Sequence, residues 1–487
     1  MWKFLLLTLF FQLHISFTGN VSYGEADFYP GGGTKPNMQH VCLNPEREKP
    51  ESKHSMWGFE EKNECLEEFP NRKPVKRRIP ENRIAHRAID TLDENGHFGA
   101  RMNAFETLSS GYYPFRFLNI DLTKLLDYNK YEGLRLGLGL MTNDSISELF
   151  SVGGYFGYGF RDRDWKYGGR LMLKVHEETE SRLEFSYRDD VAESGGYRFL
   201  KEQSVLSPAM YRQYLVENMD RVKEKQMSYS LKGLRYLRLK FFVRHSLVNP
   251  FTEYLFIKDN QIYGGNFYIT ESGLKARFAW KEEFAETPWG KLSFGADYPV
   301  VYANYTRGMN VLNGDFEYNK IEAAVSYEMP AKNPGKTRMQ LVGGLARGSV
   351  PAFKLYFGHG AYGSRFSIYS ENSFATMRLS EFLADRFISV YLNQDFGSLL
   401  FGERGFSPQI LWLNNLGWGW LDNPSRHQGI DTQSFDKGYF ETGLMIEDLL
   451  GTNIFSYGLG VFYRYGPYAF DNFSDNLACK VSIKFNL

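Results

Sequence analysis

Residues 131–176 alternate between apolar side chains and glycine or charged side chains over three successive stretches. In the first stretch, leucines occupy every even position from Leu134 to Leu140, and glycines and Arg135 lie between them. In the third stretch the parity changes, and most odd positions from Trp165 onward are apolar. Because a strand turns successive side chains to opposite faces, this pattern predicts a sheet with one apolar face and one face of glycine and charge.

The length of these stretches favours a membrane-spanning sheet. They run to roughly 11 residues and are joined by short polar turns such as residues 161–164. Strands in soluble sandwiches have about 5 to 6 residues, whereas about 9 to 11 tilted residues cross a bilayer. Alternation keeps the average hydropathy of such a chain low, so a mean hydropathy of −0.41 is compatible with it. The sequence therefore predicts an all-β fold, a transmembrane antiparallel β-barrel.

Aromatic content supports the barrel. The 487 residues include 32 Tyr, 41 Phe and 47 Gly, and barrel walls use aromatic girdles at both membrane interfaces. A large aromatic-rich soluble sandwich is the alternative left open by composition. The 57 acidic and 57 basic residues cancel, so nothing indicates a nucleic-acid partner.

The beginning of the chain predicts export. Residues 1–22 have a basic residue followed by an apolar stretch, as in a secretory signal peptide. Residues 23–130 are partly irregular and predict a periplasmic lead-in with a short helix, and residues 131–487 form the barrel. In an oxidising compartment Cys42 and Cys65 could pair in a disulfide. Cys479 is expected to stay a free, lipid-facing thiol.

Further alternating segments give about sixteen strands, an even number as in bacterial single-chain barrels. One of them is assigned to residues 352–358, and residues 192–224 are expected to form a helical loop. The chain ends on a strand, as closure of a barrel requires. Its last residues resemble the C-terminal signal read by outer-membrane assembly machinery: Lys480, Ser482, Phe485 and Leu487.

The polar face of the predicted wall carries charges of both signs. The expected lumen-facing charges are Arg135, Lys166, Arg170, Lys174, Glu184, Arg188, Arg238, Lys240 and Arg244. Such charges could pair with one another and with Glu322 and Glu328 to hold the interior together, or they could select anions in a pore.

The sequence gives little support to an enzyme. It has no G-x-S-x-G nucleophile motif, and its nine His lack metal-ligand spacing. A surface hydrolase could use rim residues, and the candidates are Asp162, Asp164, Asp189, Asp190 and His176. Turn aspartates are more often solvated turn formers, so we predict no catalytic site, no cofactor and no metal.

Several segments resemble a known family, among them DYNKYEGLRLGLGLMTND, GGYFGYGFRDRDWKYGG, FSPQILWLNNLGWG and DNLACKVSIKFNL. They are similar to a family of Bacteroidota outer-membrane proteins catalogued as a domain of unknown function, whose members often carry an N-terminal carboxypeptidase-regulatory-like domain. The resemblance covers roughly residues 79–487. The last third is similar, more distantly, to BamA-like surface-antigen barrels, which carry an Arg-Gly-aromatic motif in a loop within the lumen. Here Arg404-Gly405-Phe406 has these letters, but it lies about eighty residues before the last residue and in a hairpin turn, which favours coincidence, so the resemblance does not by itself imply the assembly function.

These observations predict an integral, non-enzymatic barrel of the bacterial outer membrane. Its partners would be outer-membrane lipid and, during biogenesis, the outer-membrane assembly machinery. The expected function is a transport channel or plugged barrel, and the alternative is a scaffold or accessory in outer-membrane protein assembly or translocation. The oligomeric state is left open.

Overall fold

A computed structural model of the protein describes residues 111–200, 208–234, 236–287, 290–329, 335–397, 408–451 and 455–485. Several sequence-based predictions lie outside these residues. They are the signal peptide, most of the lead-in segment, the Cys42–Cys65 pair, the Arg404-Gly405-Phe406 motif and Leu487.

The described residues are mostly strand. In chain order, the strands and the α-helix are β1 (Tyr112–Phe115), β2 (Leu118–Asp121), α1 (Leu122–Leu125), β3 (Leu126–Asn129), β4 (Gly133–Thr142), β5 (Phe150–Gly159), β6 (Asp164–His176), β7 (Ser181–Glu193), β8 (Met219–Leu234), β9 (Leu237–Asn249), β10 (Leu255–Lys258), β11 (Gln261–Gly264), β12 (Phe267–Ala279), β13 (Glu283–Thr287), β14 (Gly290–Gly295), β15 (Val300–Met309), β16 (Tyr318–Met329), β17 (Lys336–Gly348), β18 (Tyr356–Phe357), β19 (Gly360–Tyr362), β20 (Phe366–Ile368), β21 (Phe374–Arg378), β22 (Leu383–Ala384), β23 (Arg386–Asp395), β24 (Gln409–Trp420), β25 (His427–Gln428), β26 (Phe435–Gly451), β27 (Phe455–Tyr465) and β28 (Leu477–Phe485). The 3₁₀ helices are Pro208–Leu215, Ala352–Lys354, Pro424–Arg426 and Phe473–Asn476. No helix within the described ranges is long and apolar enough to cross a membrane.

The wall of the barrel has sixteen strand positions. β2 and β3 pair with opposite ends of β4 and share the first position, separated by α1. Fifteen strands follow, each antiparallel to the previous one: β4 to β9, β12, β15 to β17, β23, β24 and β26 to β28. The predicted antiparallel barrel of about sixteen strands is confirmed.

The predicted count depended on two errors that cancel. Residues 352–358 are not a wall strand: they contain the 3₁₀ helix Ala352–Lys354 and the short strand β18, which pairs with β22. Conversely, the wall begins at β2 and β3, within the segment that the sequence assigned to the lead-in. Each of these strands has only four residues, too few for alternation to stand out.

The two faces of the wall differ in exposure. Outward-facing apolar side chains are widely exposed, for example Phe156 at 50%, Trp165 at 55% and Leu444 at 55%. Inward-facing side chains on the same sheet, such as Phe462 and Lys480, are fully buried. A continuous apolar exterior of this extent requires a nonpolar surrounding.

The two ends of the wall differ as well. At the loop end lie the long connections 194–218, 250–266, 349–385, 421–434 and 466–476, together with the short turn 160–163. At the turn end lie mostly short connections and the last residue of β28, and the exception is residues 280–299, which contain the β13–β14 hairpin. Residues 349–385, here called the lumen insert, fold into the barrel, where Phe374, Met377 and Leu383 are fully buried against the inner wall.

A small three-stranded sheet, here called the cap, covers part of the loop end. Its strands are β11, β10 and β25 in spatial order. Beneath it, Tyr254, Phe256 and Phe316 pack with His427 in an aromatic cluster that continues into the lumen insert through Phe353.

Candidate functional site: the filled lumen and its seam

The predicted lumen charges lie at inward register positions of β4, β6, β7 and β9, where they alternate with outward apolar residues. At the loop end, Arg135 donates to Asp190 with Nη1 to Oδ1 at 2.8 Å. Lys166 is fully buried and contacts Asp162 and Glu132. Two of the rim aspartates considered for catalysis are thus in ion pairs: Asp162 with Lys166 of β6, and Asp190 of β7 with Arg135 of β4, which β5 and β6 separate from β7 in the wall.

The remaining rim residues have similar roles. Asp189 and Asp164 both accept hydrogen bonds from Arg221 on the outer face of the wall. His176 lies on an exposed turn with its Nδ1 3.1 Å from Thr179 Oγ1. Within the described ranges, no group of three or more His, Cys, Asp or Glu side chains is arranged to hold a metal ion.

The lumen-facing charges further from the loop end are only partly buried. Arg170 donates to Tyr112 Oη at 2.6 Å, and Lys174 lies 2.8 Å from Asp144 at the surface. Glu184 lines an inner cavity of about 220 Å³ beside β1 and α1. Arg238 and Lys240 are partly buried on β9.

The centre of the lumen contains a dense group of opposite charges. Arg244 on β9, Lys354 of the lumen insert and Tyr318 on β16 all donate to the buried carboxylate of Glu271. Burial lowers the pKa of Lys354 to about 8, against the opposing attraction of Glu271. Arg188 pairs with Glu224 nearby. The cavity that remains among these groups is about 110 Å³.

Glu441 fixes the middle of the lumen insert to the wall. It is fully buried on β26 and accepts from the backbone N–H groups of Ala375 and Thr376, at 2.8 and 2.9 Å. It also accepts from Thr376 Oγ1 at 2.6 Å and from Asn415 Nδ2 at 2.7 Å. Charge-assisted bonds in a buried site are the stronger kind of hydrogen bond, so Glu441 holds the insert in one position.

Lys480 fixes a second part of the lumen insert. From the inner face of β28, its Nζ donates to Ala361 O at 2.8 Å and to Ser367 Oγ at 2.7 Å. Ser482, two residues further along, is also buried. Two residues of the predicted C-terminal assembly signal therefore face the lumen, while Phe485 is the last residue of β28.

The first and last wall positions are not joined by a continuous ladder. β28 pairs with β27 over nine residue pairs, from Phe455↔Phe485 to Tyr463↔Leu477. On its other side, β28 pairs in parallel with β20 of the lumen insert over three residue pairs. Among the described residues, no ladder links β28 to β2 or β3. We call this junction the seam.

The 3₁₀ helix Pro208–Leu215 packs behind the seam and contacts both of its sides. Tyr211 Oη lies 3.4 Å from Ile483 O on β28, and Arg212 Nε donates to Gly360 O of the insert at 2.8 Å. On the opposite side, the N–H of Lys130, just after β3, donates to Val216 O at 3.0 Å. The seam is thus closed by loop segments, and Phe366 of β20 is exposed at the outer surface.

Sequence analysis did not find the lumen insert. Its polar and aromatic residues have neither strand nor helix periodicity. The available signal was length, because 37 residues separate the end of β17 from the start of β23, and long connections in compact domains are usually functional. Lys480 was noticed only as part of a terminal signal.

This arrangement is that of a transmembrane β-barrel with one of its own loops folded into the lumen. Residues 249–353 match the model of the "Family of unknown function (DUF5686) C-terminal domain". Over that segment, from the end of β9 to the start of the lumen insert, the match confirms the resemblance noted in the sequence.

Solved structures with a similar course of the chain include two barrels. One is BamA from Haemophilus ducreyi lacking POTRA domains 1–3, with 10% identity, a TM-score of 0.46, and coverage of 74% of this chain and 69% of that chain. The other is CdiB from Escherichia coli, with 9% identity, a TM-score of 0.44, and coverage of 76% and 62%. No curated protein matches the sequence.

Proposed function

We propose that this protein is a plugged barrel of the bacterial outer membrane that acts in the assembly or translocation of other envelope proteins and has no enzymatic activity. The observation that carries the proposal is the seam, where β28 has three parallel residue pairs with β20 in place of a wall strand. An open diffusion channel has no need of such a junction.

The edge of β28 has the chemistry of a strand-binding site. Backbone N–H and C=O groups at a sheet edge pair readily with an additional strand. In a membrane these groups have no water to bond to, so the edge must always be covered. The short parallel strand β20 is easily displaced from this edge. An antiparallel strand of a client chain would form more hydrogen bonds with β28 than β20 does.

The native thiol of Cys479 allows the seam to be locked. Cys479 is paired in register with Phe366 of β20, and parallel neighbours lie about 4.8 Å apart, within the range of a disulfide. In a background with Cys42→Ser and Cys65→Ser, Phe366→Cys is expected to form a disulfide with Cys479. In a deletion strain complemented by this variant, delivery of other outer-membrane proteins should fail under oxidation and recover on reduction.

The matched control is Val461→Cys in the same background. Val461 is the partner of Cys479 on β27, so that disulfide joins two strands that are already fully paired. It should leave delivery unchanged. Normal delivery with an oxidised Phe366→Cys variant, or in the deletion strain itself, would refute the assembly role.

The charges around Glu271 favour one second candidate, gated transport of a charged solute through the lumen. That function requires the lumen insert to leave its site. Gated transport predicts conductance from the unmodified protein, whereas a role in assembly or translocation predicts none.

A further inference from the structure

The outer face of β5 to β9 has two adjacent register rows with different chemistry. The row nearer the turn end is apolar and contains Val152, Leu171, Phe185, Met227 and Val243. The next outward-facing row toward the loop end, two residues further along each strand, contains Gly154, Gly169, Tyr187, Lys225 and His245. Both rows face the surroundings of the barrel.

Two paired glycines create a groove in this surface. Gly154 and Gly169 lie directly opposite each other on β5 and β6, so neither strand has an outward side chain there. A Cβ placed on Gly169 would approach its nearest neighbour, Gly153 O, only to 3.6 Å. The groove beside this pair has a volume of about 610 Å³, is lined by Gly153 and Gly169 at its glycine end, and extends from Val152 to Val243.

The groove has apolar walls and one cationic end. Val152, Met227 and Val243 are 47%, 48% and 50% exposed, so their side chains are open to the surroundings. Lys225 lines the groove and its side chain is exposed. A lysine stem can lie along apolar surface while its ammonium reaches toward a polar layer.

Other cations close to the groove are already engaged. Arg221 donates to both Asp189 and Asp164, and Lys223 Nζ lies 3.5 Å from Asp189 Oδ2. Among the described residues, no carboxylate lies within ion-pair distance of Lys225. The ammonium of Lys225 is therefore available to an anion from outside the protein.

We propose that this groove binds an acyl lipid with an anionic phosphate headgroup. One acyl chain lies over Gly154 and Gly169, in contact with the apolar row, and the phosphate accepts hydrogen bonds from Lys225. The phenol of Tyr187 and the ring of His245 flank Lys225 in the same row and are the polar groups nearest to the rest of the headgroup. The inference concerns the outer wall and does not depend on the proposed assembly function.

A second groove on the wall provides an internal comparison. It lies over β16, β17 and β23, where Ala323 is opposite Gly343, and its volume is about 360 Å³. Its lining contains only Ile, Ala, Val, Leu and Gly. This second groove can hold an acyl chain, but it has no cation for a headgroup.

The test measures lipid retained by the full-length protein. Protein reconstituted in nanodiscs with equal phosphatidylglycerol and phosphatidylcholine is transferred to detergent, and bound lipids are counted by native mass spectrometry. We expect phosphatidylglycerol to be retained preferentially. Lys225→Met should reduce its retention about fivefold, the effect of roughly 1 kcal/mol per cation near a lipid surface. Gly169→Leu should reduce it by a similar factor, because the side chain fills the groove.

The controls are Lys336→Met, which removes an exposed cation at the turn end, and Gly343→Leu, which fills the second groove. Both should leave phosphatidylglycerol retention unchanged. Equal retention of the two lipids, or an equal loss in Gly169→Leu and Gly343→Leu, would mean annular lipid only and overturn the proposal. Heat-modifiable migration confirms folding of each variant, and Gly169→Ala replaces Gly169→Leu should the larger side chain prevent folding.

Discussion

His427 joins the cap to the lumen insert through a short chain of hydrogen bonds. The Ala352 N–H donates to Tyr254 Oη at 2.9 Å, and Tyr254 Oη lies 2.8 Å from His427 Nδ1. Because the Tyr254 oxygen accepts a hydrogen bond from Ala352, the Tyr254 hydroxyl donates a hydrogen bond to His427 Nδ1. The imidazole of His427 must be neutral to accept this hydrogen bond. Burial, with a smaller contribution from the charge of Arg426, lowers the pKa of His427 to about 4.

This pKa predicts that the cap weakens in mild acid. The opened cap would give His427 its ordinary pKa of about 6.5, so stability is complete above that pH and is lost as the pH falls toward 4. At pH 5 the loss is about 2 kcal/mol. Hydrogen exchange of the β10 amides, corrected for intrinsic rates, should be faster at pH 5 than at pH 7. His427→Gln should abolish the difference, and an unchanged pH effect in that variant would contradict the assignment.

At the scale of elements, the lumen insert depends on Glu441. Glu441→Ala removes four hydrogen bonds and leaves two buried N–H groups without their partner, a cost of about 3 to 5 kcal/mol. In planar bilayers the unmodified protein should be silent, and Glu441→Ala should show intermittent openings. The control is Glu328→Ala, at an exposed position, which should remain silent. Steady conductance from the unmodified protein would show that the insert does not occlude the lumen.

Elements were predictable from sequence to different degrees for a physical reason. Long wall strands such as β6 and β9 follow a period of two that the backbone imposes, so their existence and facing directions could be predicted. The lumen insert has no such period, because its conformation is set by contacts with Glu441 and Lys480 from distant strands. Those partners are close only in the folded barrel, and so the main feature of the candidate site could not be predicted.

At the scale of the whole molecule, the apolar exterior predicts which reagents reach Cys479. This thiol lies on the outer face of β28, where it is partly exposed to the surroundings. In lipid vesicles, with Cys42→Ser and Cys65→Ser, a charged maleimide should react with Cys479 slowly and an apolar maleimide rapidly. Unfolding in denaturant should remove the difference.

A loop position provides the comparison for this labelling. Ser474 lies in the exposed connection 466–476 at the loop end, so Ser474→Cys, combined with Cys479→Ser, should react quickly with the charged reagent. Equal labelling at both positions would argue against a lipid-facing β28.

The attachment of the lumen insert to β28 also determines the order of folding. Ala361 and its partner Lys480 are separated by 119 residues, and contacts of such long range form late because loop closure must precede them. Until the last nine-residue strand is in place, the insert lacks Lys480 and the edge to which β20 binds. Docking of β28 therefore completes the wall and adds the second attachment of the insert in one step, whereas the attachment at Glu441 needs only β26.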